Sequence, residues 1–162
     1  MLMGMFDIWR RDLDSPPVVM HPPVIFGLSF LIGYALDVWW GWSFGVGPAI
    51  VLGWILLAGG FAMAVWCFWH LRRAGTNVPT NKPALVLVTD GPYRTSRNPI
   101  YVALTAVYIG LASLLDAPAA LLMLLVALPM LHFGVVLREE QYLAAKFGEP
   151  YRDHFARTKR YI

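Results

Sequence analysis

The chain has 162 residues, room for one domain, of which 58% are hydrophobic and only 14% charged. A soluble domain carries about 25% charged residues, so the composition excludes an ordinary soluble globule and points to a bilayer. The net charge of +3 comes without a Lys/Arg block that would make a nucleic-acid patch, and the single cysteine, Cys67, excludes an intrachain disulfide framework or a cysteine-rich metal site.

A bilayer-spanning helix needs about 20 mostly apolar residues. Four runs are candidates: 23–41, interrupted only by Asp37; 48–71, without a charge; 99–115; and 117–137, again uncharged. The first begins after Pro16, Pro17 and Pro22, lacks a small-residue cleavage site and ends in Trp39, Trp40 and Trp42. It therefore reads as a membrane span with an interfacial tryptophan belt, not as a cleaved signal peptide. Runs three and four are separated by Asp116 and its neighbours, which predicts a tight helical hairpin with Pro118 opening the return helix. Pro129, inside run four, predicts a kink.

Basic residues cluster in three places. Arg10 and Arg11 precede the first run; Arg72, Arg73, Lys82, Arg94 and Arg97 lie between the second and third; Arg138, Lys146, Arg152, Arg157, Lys159 and Arg160 follow the fourth. The other two connections hold none. The positive-inside rule then predicts four transmembrane helices with both termini cytoplasmic. The expected fold class is all-α, a polytopic membrane protein forming a single domain over 1–162. A cytoplasmic linker spans 72–98 and a cytoplasmic tail 138–162.

Both cytoplasmic segments are patterned. In the linker, apolar Leu85–Val88 leads through Thr89 and Asp90 into Gly91-Pro92-Tyr93, and Arg97-Asn98-Pro99-Ile100-Tyr101 follows. Gly91 permits positive φ and a close backbone approach. Asn98 stands where it can cap the third span, whose free N–H groups suit an anionic or polar ligand group. Ordinary capping of a membrane helix is the other reading. The tail opens with Arg138-Glu139-Glu140 and continues to Phe147-Gly148-Glu149-Pro150-Tyr151. Adjacent carboxylates at a membrane boundary must be solvated or paired. One of the pair can face inward, where it suits a ligand ammonium group, and the other water.

These strings, Leu87–Tyr93 with Arg97–Tyr101, then Glu139-Glu140 with Phe147-Gly148 and Tyr151, resemble the isoprenylcysteine carboxyl methyltransferase and phospholipid methyltransferase superfamily. The resemblance runs from about Gly75 to Tyr161. It implies a methyltransferase of the bacterial inner membrane, using S-adenosylmethionine in a cytoplasmic pocket formed by the linker, the hairpin and the C-terminal helix. Carried over residue by residue, Leu85, Val86, Leu87 and Val88 contact the nucleoside, with Gly91 in the turn that follows. Tyr93 packs on the cofactor, Asn98, Pro99, Ile100 and Tyr101 line the pocket, and Glu139, with Glu140 beside it, holds the amino group. The implied acceptor is lipophilic: an isoprenylcysteine-like carboxylate or thiol, or a phospholipid amine.

Two departures bear on the acceptor. Asn98 stands where the carboxyl methyltransferases have histidine, and Val135 where they have a substrate-binding arginine; Arg138 is adjacent but points elsewhere. His132, seven residues before Glu139 and on its helical face, is a candidate catalytic residue that contacts substrate or accepts a proton, along with Arg138 on the substrate side; a hydrogen-bonded histidine in helix packing is the other reading. Two other readings stand beside the enzyme: a membrane scaffold, and a haem protein ligated by His70 and His132.

Overall fold

The computed structural model describes residues 14–45, 48–78 and 82–162. Arg10 and Arg11, two of the residues on which the orientation argument rests, lie outside them. The architecture is all-helical: α1 (Pro22–Trp40), α2 (Pro48–Arg73), α3 (Pro99–Leu114), α4 (Pro118–Leu122), α5 (Leu124–Leu131), a π turn (His132–Val136), α6 (Leu137–Phe147) and α7 (Glu149–Arg157). Gly91–Arg94 forms one turn of 3-10 helix in the linker. Among the described residues no strand forms; Ser96 and Lys159 make an isolated bridge.

Proline opens α1, α3, α4 and α7, where the missing N–H costs nothing. Gly41 ends α1 at φ 67, a left-handed position that suits glycine. Three helices are long and apolar enough to cross a membrane: Pro22–Trp40, Ala49–Arg73 and the nearly continuous Pro118–Phe147. The third expected span is shorter. At 16 residues, α3 rises about 24 Å against a hydrocarbon core of roughly 30 Å.

The arms of the expected hairpin do not chiefly pack on each other. Helix α3 lies along α2, and α4–α5 lie along α1. Small residues set this pairing, as is common where helices meet in lipid. A Cβ on Gly110 would come within 2.6 Å of the Leu57 nitrogen, and one on Gly60 within 2.8 Å of the Ala103 carbonyl. Gly33 on α1 meets the Ala120 backbone in the same way.

Asp37, which breaks the first apolar run, has a structural use. Its buried carboxylate accepts the Ala119 N–H at 2.7 Å and the Ala120 N–H at 3.1 Å, capping α4. A carboxylate there meets both the unpaired amides and the positive end of the helix dipole. Asp116, at φ 51, closes the opposite side of the turn by accepting Phe44 N–H at 2.7 Å and the Ser43 hydroxyl.

The fourth run is not one uniform helix. It breaks at Met123, and the π turn begins three residues after Pro129. Proline has no N–H to donate to the carbonyl one turn before it, and a π turn carries extra chain per revolution. The register between His132 and Glu139 therefore differs from that of a regular helix.

Candidate functional site

Where the linker, α2, α3, α6 and α7 meet, they enclose a cavity of about 400 Å³. That lies within the range of about 300–1,000 Å³ typical of small-molecule sites. Val86, Leu87 and Val88 wall it from the linker, Phe68 and Leu71 from α2, and Ile100, Tyr101 and Leu104 from α3. Thr76 shapes the linker wall by accepting the Leu85 and Val86 N–H groups on its hydroxyl, at 3.0 and 3.4 Å. Tyr93, buried against Cys67 and Val88, completes that side; burial holds its phenol far above the usual range.

Glu139 enters from α6. Its Oε2 accepts the Tyr101 hydroxyl at 2.8 Å, its one hydrogen bond among the described residues. The cavity thus presents an apolar wall with a carboxylate set into it.

Glu140 turns away, as neighbours about 100° apart on a helix must. The expectation that the second glutamate faces water is corrected: Glu140 is 7% exposed and lies between two guanidinium groups. Arg160 Nη2 donates to Oε2 at 2.9 Å and Arg97 Nε to Oε1 at 3.2 Å. Arg97 also donates to the Phe155 carbonyl at 2.8 Å and to that of Thr158, and lies over the Phe155 ring. Breaking such a buried pair by removing one partner costs about 3–5 kcal/mol.

The tail after α7 folds back over the start of α3. The Arg97 N–H donates to the Lys159 carbonyl at 2.9 Å, and Asn98 Nδ2 to the Arg160 carbonyl at 3.1 Å. Asn98 stands at the N-cap position of α3 but makes no side-chain cap bond there; its amide secures the tail instead. Tyr151 and His154 of α7 reach the cavity from this side. Burial raises the Tyr151 phenol to about 12, and burial with the charge of Arg97 lowers His154.

Several other expected site residues stand elsewhere. Val86, Leu87, Val88, Tyr93, Asn98, Ile100, Tyr101 and Glu139 line the cavity; Leu85, Gly91, Pro99 and Glu140 do not. Leu85 is exposed with its N–H on Thr76. Gly91 does have positive φ, 54°, but the space a side chain would take is filled by the His70 ring and not by a ligand pocket. His132 is hydrogen-bonded to the Tyr161 hydroxyl at 2.7 Å and does not line the cavity, because the intervening π turn removes it from the Glu139 face. Arg138 is exposed and donates to the Pro17 carbonyl at 2.9 Å. Of the two histidines offered as haem ligands, His70 hydrogen-bonds the Trp66 carbonyl through Nδ1 at 3.0 Å and His132 is held by Tyr161. Val135 is fully buried in the apolar core.

Sequence reasoning missed Tyr142. Its hydroxyl accepts the Ala84 N–H at 3.1 Å and Lys146 Nζ at 3.0 Å, and donates to the Asp14 carbonyl at 3.1 Å. It thereby joins the linker, α6 and the N-terminal segment. Its spacing of three from Glu139 on one helix was the available signal.

Fold and site together define an all-helical protein with three helices long and apolar enough to cross a membrane and a small-molecule cavity bearing a carboxylate. The phospholipid methyltransferase family matches residues 48–150, and the chain belongs to that family. The match runs from α2 to the start of α7 and includes Glu139. The chain is also similar to the cobalt-zinc-cadmium resistance protein CzcN of Cupriavidus metallidurans, with 28% identity over 85 residues. That similarity covers 52% of this chain and 36% of the relative, so the chain spans about a third of its length.

Proposed function

We propose that this chain is an S-adenosylmethionine-dependent methyltransferase acting on a lipophilic acceptor, and that residues 1–162 work as one membrane domain. The observation that carries the reading is Glu139: the cavity's one carboxylate among the described residues, set beside the apolar wall of Val86–Val88, Ile100 and Leu104, within the stretch that matches the family. The residues present fit the methyl donor. Its ammonium calls for a carboxylate and its nucleoside for an apolar wall, and Arg97, the arginine that lines the cavity, is already engaged by Glu140.

The donor supplies a methyl group on a sulfonium, a good leaving group. The chain's work is then alignment and exclusion of water. Glu139 holds the ammonium, and the Tyr101 hydroxyl fixes the direction of that carboxylate. Val86, Leu87 and Val88 take the nucleoside, and Tyr93 packs beside it. Asn98, with Arg97 and Glu140, keeps the tail closed over the pocket. No nucleophilic side chain is required.

The acceptor is better read as a phospholipid amine than as a prenylcysteine carboxylate. Val135, at the position of the carboxyl methyltransferases' substrate-binding arginine, lies in the apolar core. We also propose four spans, α3 being the short one, with the cavity on the cytoplasmic side of a bacterial inner membrane, because every Lys and Arg then lies inside.

Two measurements test the reading. S-adenosylhomocysteine should bind and stabilise the detergent-solubilised protein, by mass action about 2.7 kcal/mol at a hundredfold excess over Kd, which a raised melting temperature reads out. Incubation with radiolabelled donor and vesicles containing phosphatidylethanolamine should label the headgroup nitrogen. No binding at millimolar ligand in calorimetry would refute the donor; binding with label on another lipid class would refute the amine.

A further inference from the structure

Thr76 lines the cavity just after α2 ends and is only 9% exposed. The chain turns there through Gly75, at φ 74, and the Thr76 N–H donates back to the Leu71 carbonyl at 3.2 Å. Its backbone is thus tied to the end of α2. Its side chain reaches the later half of the linker, where the hydroxyl oxygen accepts the Leu85 N–H at 3.0 Å and the Val86 N–H at 3.4 Å.

A threonine hydroxyl has two lone pairs that accept and one proton that it donates. The two amides take both lone pairs, so this oxygen has nothing left with which to accept. Its O–H bond points away from both amides, as tetrahedral geometry requires. Among the described residues no acceptor meets that proton. Tyr101, on the α3 wall of the same cavity, gives its proton to Glu139. Buried polar groups are hydrogen-bonded as a rule, and one left over at a cavity wall calls for a partner inside the cavity.

The amides that Thr76 holds open the wall of Val86, Leu87 and Val88, the wall assigned above to the nucleoside. We infer that Thr76 is a specificity-determining residue that donates its hydroxyl proton to an unprotonated ring nitrogen of the base lying on that wall. The inference rests on the methyl-donor reading, which supplies the base. A hydroxyl that donates and cannot accept selects for a bare nitrogen and against an N–H at the same place, since two donors would face each other there.

The experiment reads affinity and not turnover, on the whole chain in detergent. The probes are S-adenosylhomocysteine and its deaza analogues, in each of which C–H replaces one ring nitrogen of the base. On the wild type, one analogue should bind about tenfold more weakly than the parent compound, the loss of a single neutral hydrogen bond. Thr76→Ser keeps the hydroxyl and should keep that gap. Thr76→Val and Thr76→Ala lack it and should close the gap, so that parent and analogue bind alike.

The coupling separates contact from scaffolding. If Thr76 only holds the linker, its removal weakens parent and analogues by the same factor and any gap between them persists, which overturns the inference. If every analogue binds the wild type within about twofold of the parent, as when water takes the proton, the inference is overturned while the methyl-donor reading stands. That second comparison needs no variant, so poor folding of Thr76→Val does not protect the inference. If S-adenosylhomocysteine itself does not bind the wild type, the methyl-donor reading falls and the inference falls with it.

Discussion

Tyr101 and Glu139 form a hydrogen-bonded pair at 2.8 Å, joining the start of α3 to the start of α6 at the cavity wall. The tyrosine comes from the linker-proximal half of the site and the glutamate from the tail-proximal half. Each has its side chain oriented by the other.

The first prediction separates holding from aiming. Glu139→Gln keeps shape but removes the charge that faces the donor's ammonium, and should weaken S-adenosylhomocysteine binding by about 2–5 kcal/mol. Tyr101→Phe removes only the orienting bond and should cost about 1 kcal/mol. Calorimetry on both variants checks the order; a larger loss from Tyr101→Phe would put the recognition of the ammonium elsewhere.

Glu140→Gln should behave differently. It leaves Arg97 and Arg160 facing a neutral amide, with an expected loss of stability of about 3 kcal/mol, discounted for the partial exposure of Arg160. The melting temperature should fall well below that of Glu139→Gln. If Glu140→Gln is as stable as wild type, the clamp between linker and tail contributes nothing to folding.

His154 gives a pH signature. Burial and the charge of Arg97 lower its pKa from the ordinary 6.5. The unfolded chain therefore takes up this proton first as pH falls, and stability is lost from about pH 6.5 downward, until the folded-state value is passed. His154→Gln removes that loss. Between about pH 8 and 5, the wild type should fall in melting temperature more steeply than the variant, the gap opening only below 6.5. Parallel curves would show that His154 titrates alike in both states.

Topology can be read by cysteine labelling in intact cells. A thiol at Phe44, in the uncharged turn after α1, should react with a membrane-impermeant reagent, and one at Asp153, on α7, should not. The reverse pattern would invert the orientation that the basic residues imply.

Much of this was legible in the sequence, and the misses share a cause. Apolar runs locate α1, α2 and the long Pro118–Phe147 segment, because the bilayer demands length and hydropathy that composition displays. The linker and tail strings locate the cavity, since Val86–Val88, Tyr93, Asn98, Tyr101 and Glu139 all line it. Register was not legible. The π turn at His132–Val136 moved His132 off the Glu139 face, and its propagation cannot be read from spacing by sevens. Pairing was not legible either. A short turn makes spans three and four neighbours in the chain, but glycine-lined approaches place α3 on α2 and α4–α5 on α1. The use of Asp37 and Tyr142 depends on partners 82 and 58 residues away, and no local pattern announces those.

That distance at Asp37 also sets an order of events during synthesis. Its carboxylate leaves the ribosome 82 residues before the Ala119 amide that it caps. At about 5–20 residues per second, it waits roughly 4–16 s for its partner. Throughout that interval the end of α1 carries a charge whose favourable place is the interface and not the hydrocarbon. The cap that joins the end of α1 to α4 can therefore close only when the chain has returned through residues 119–120.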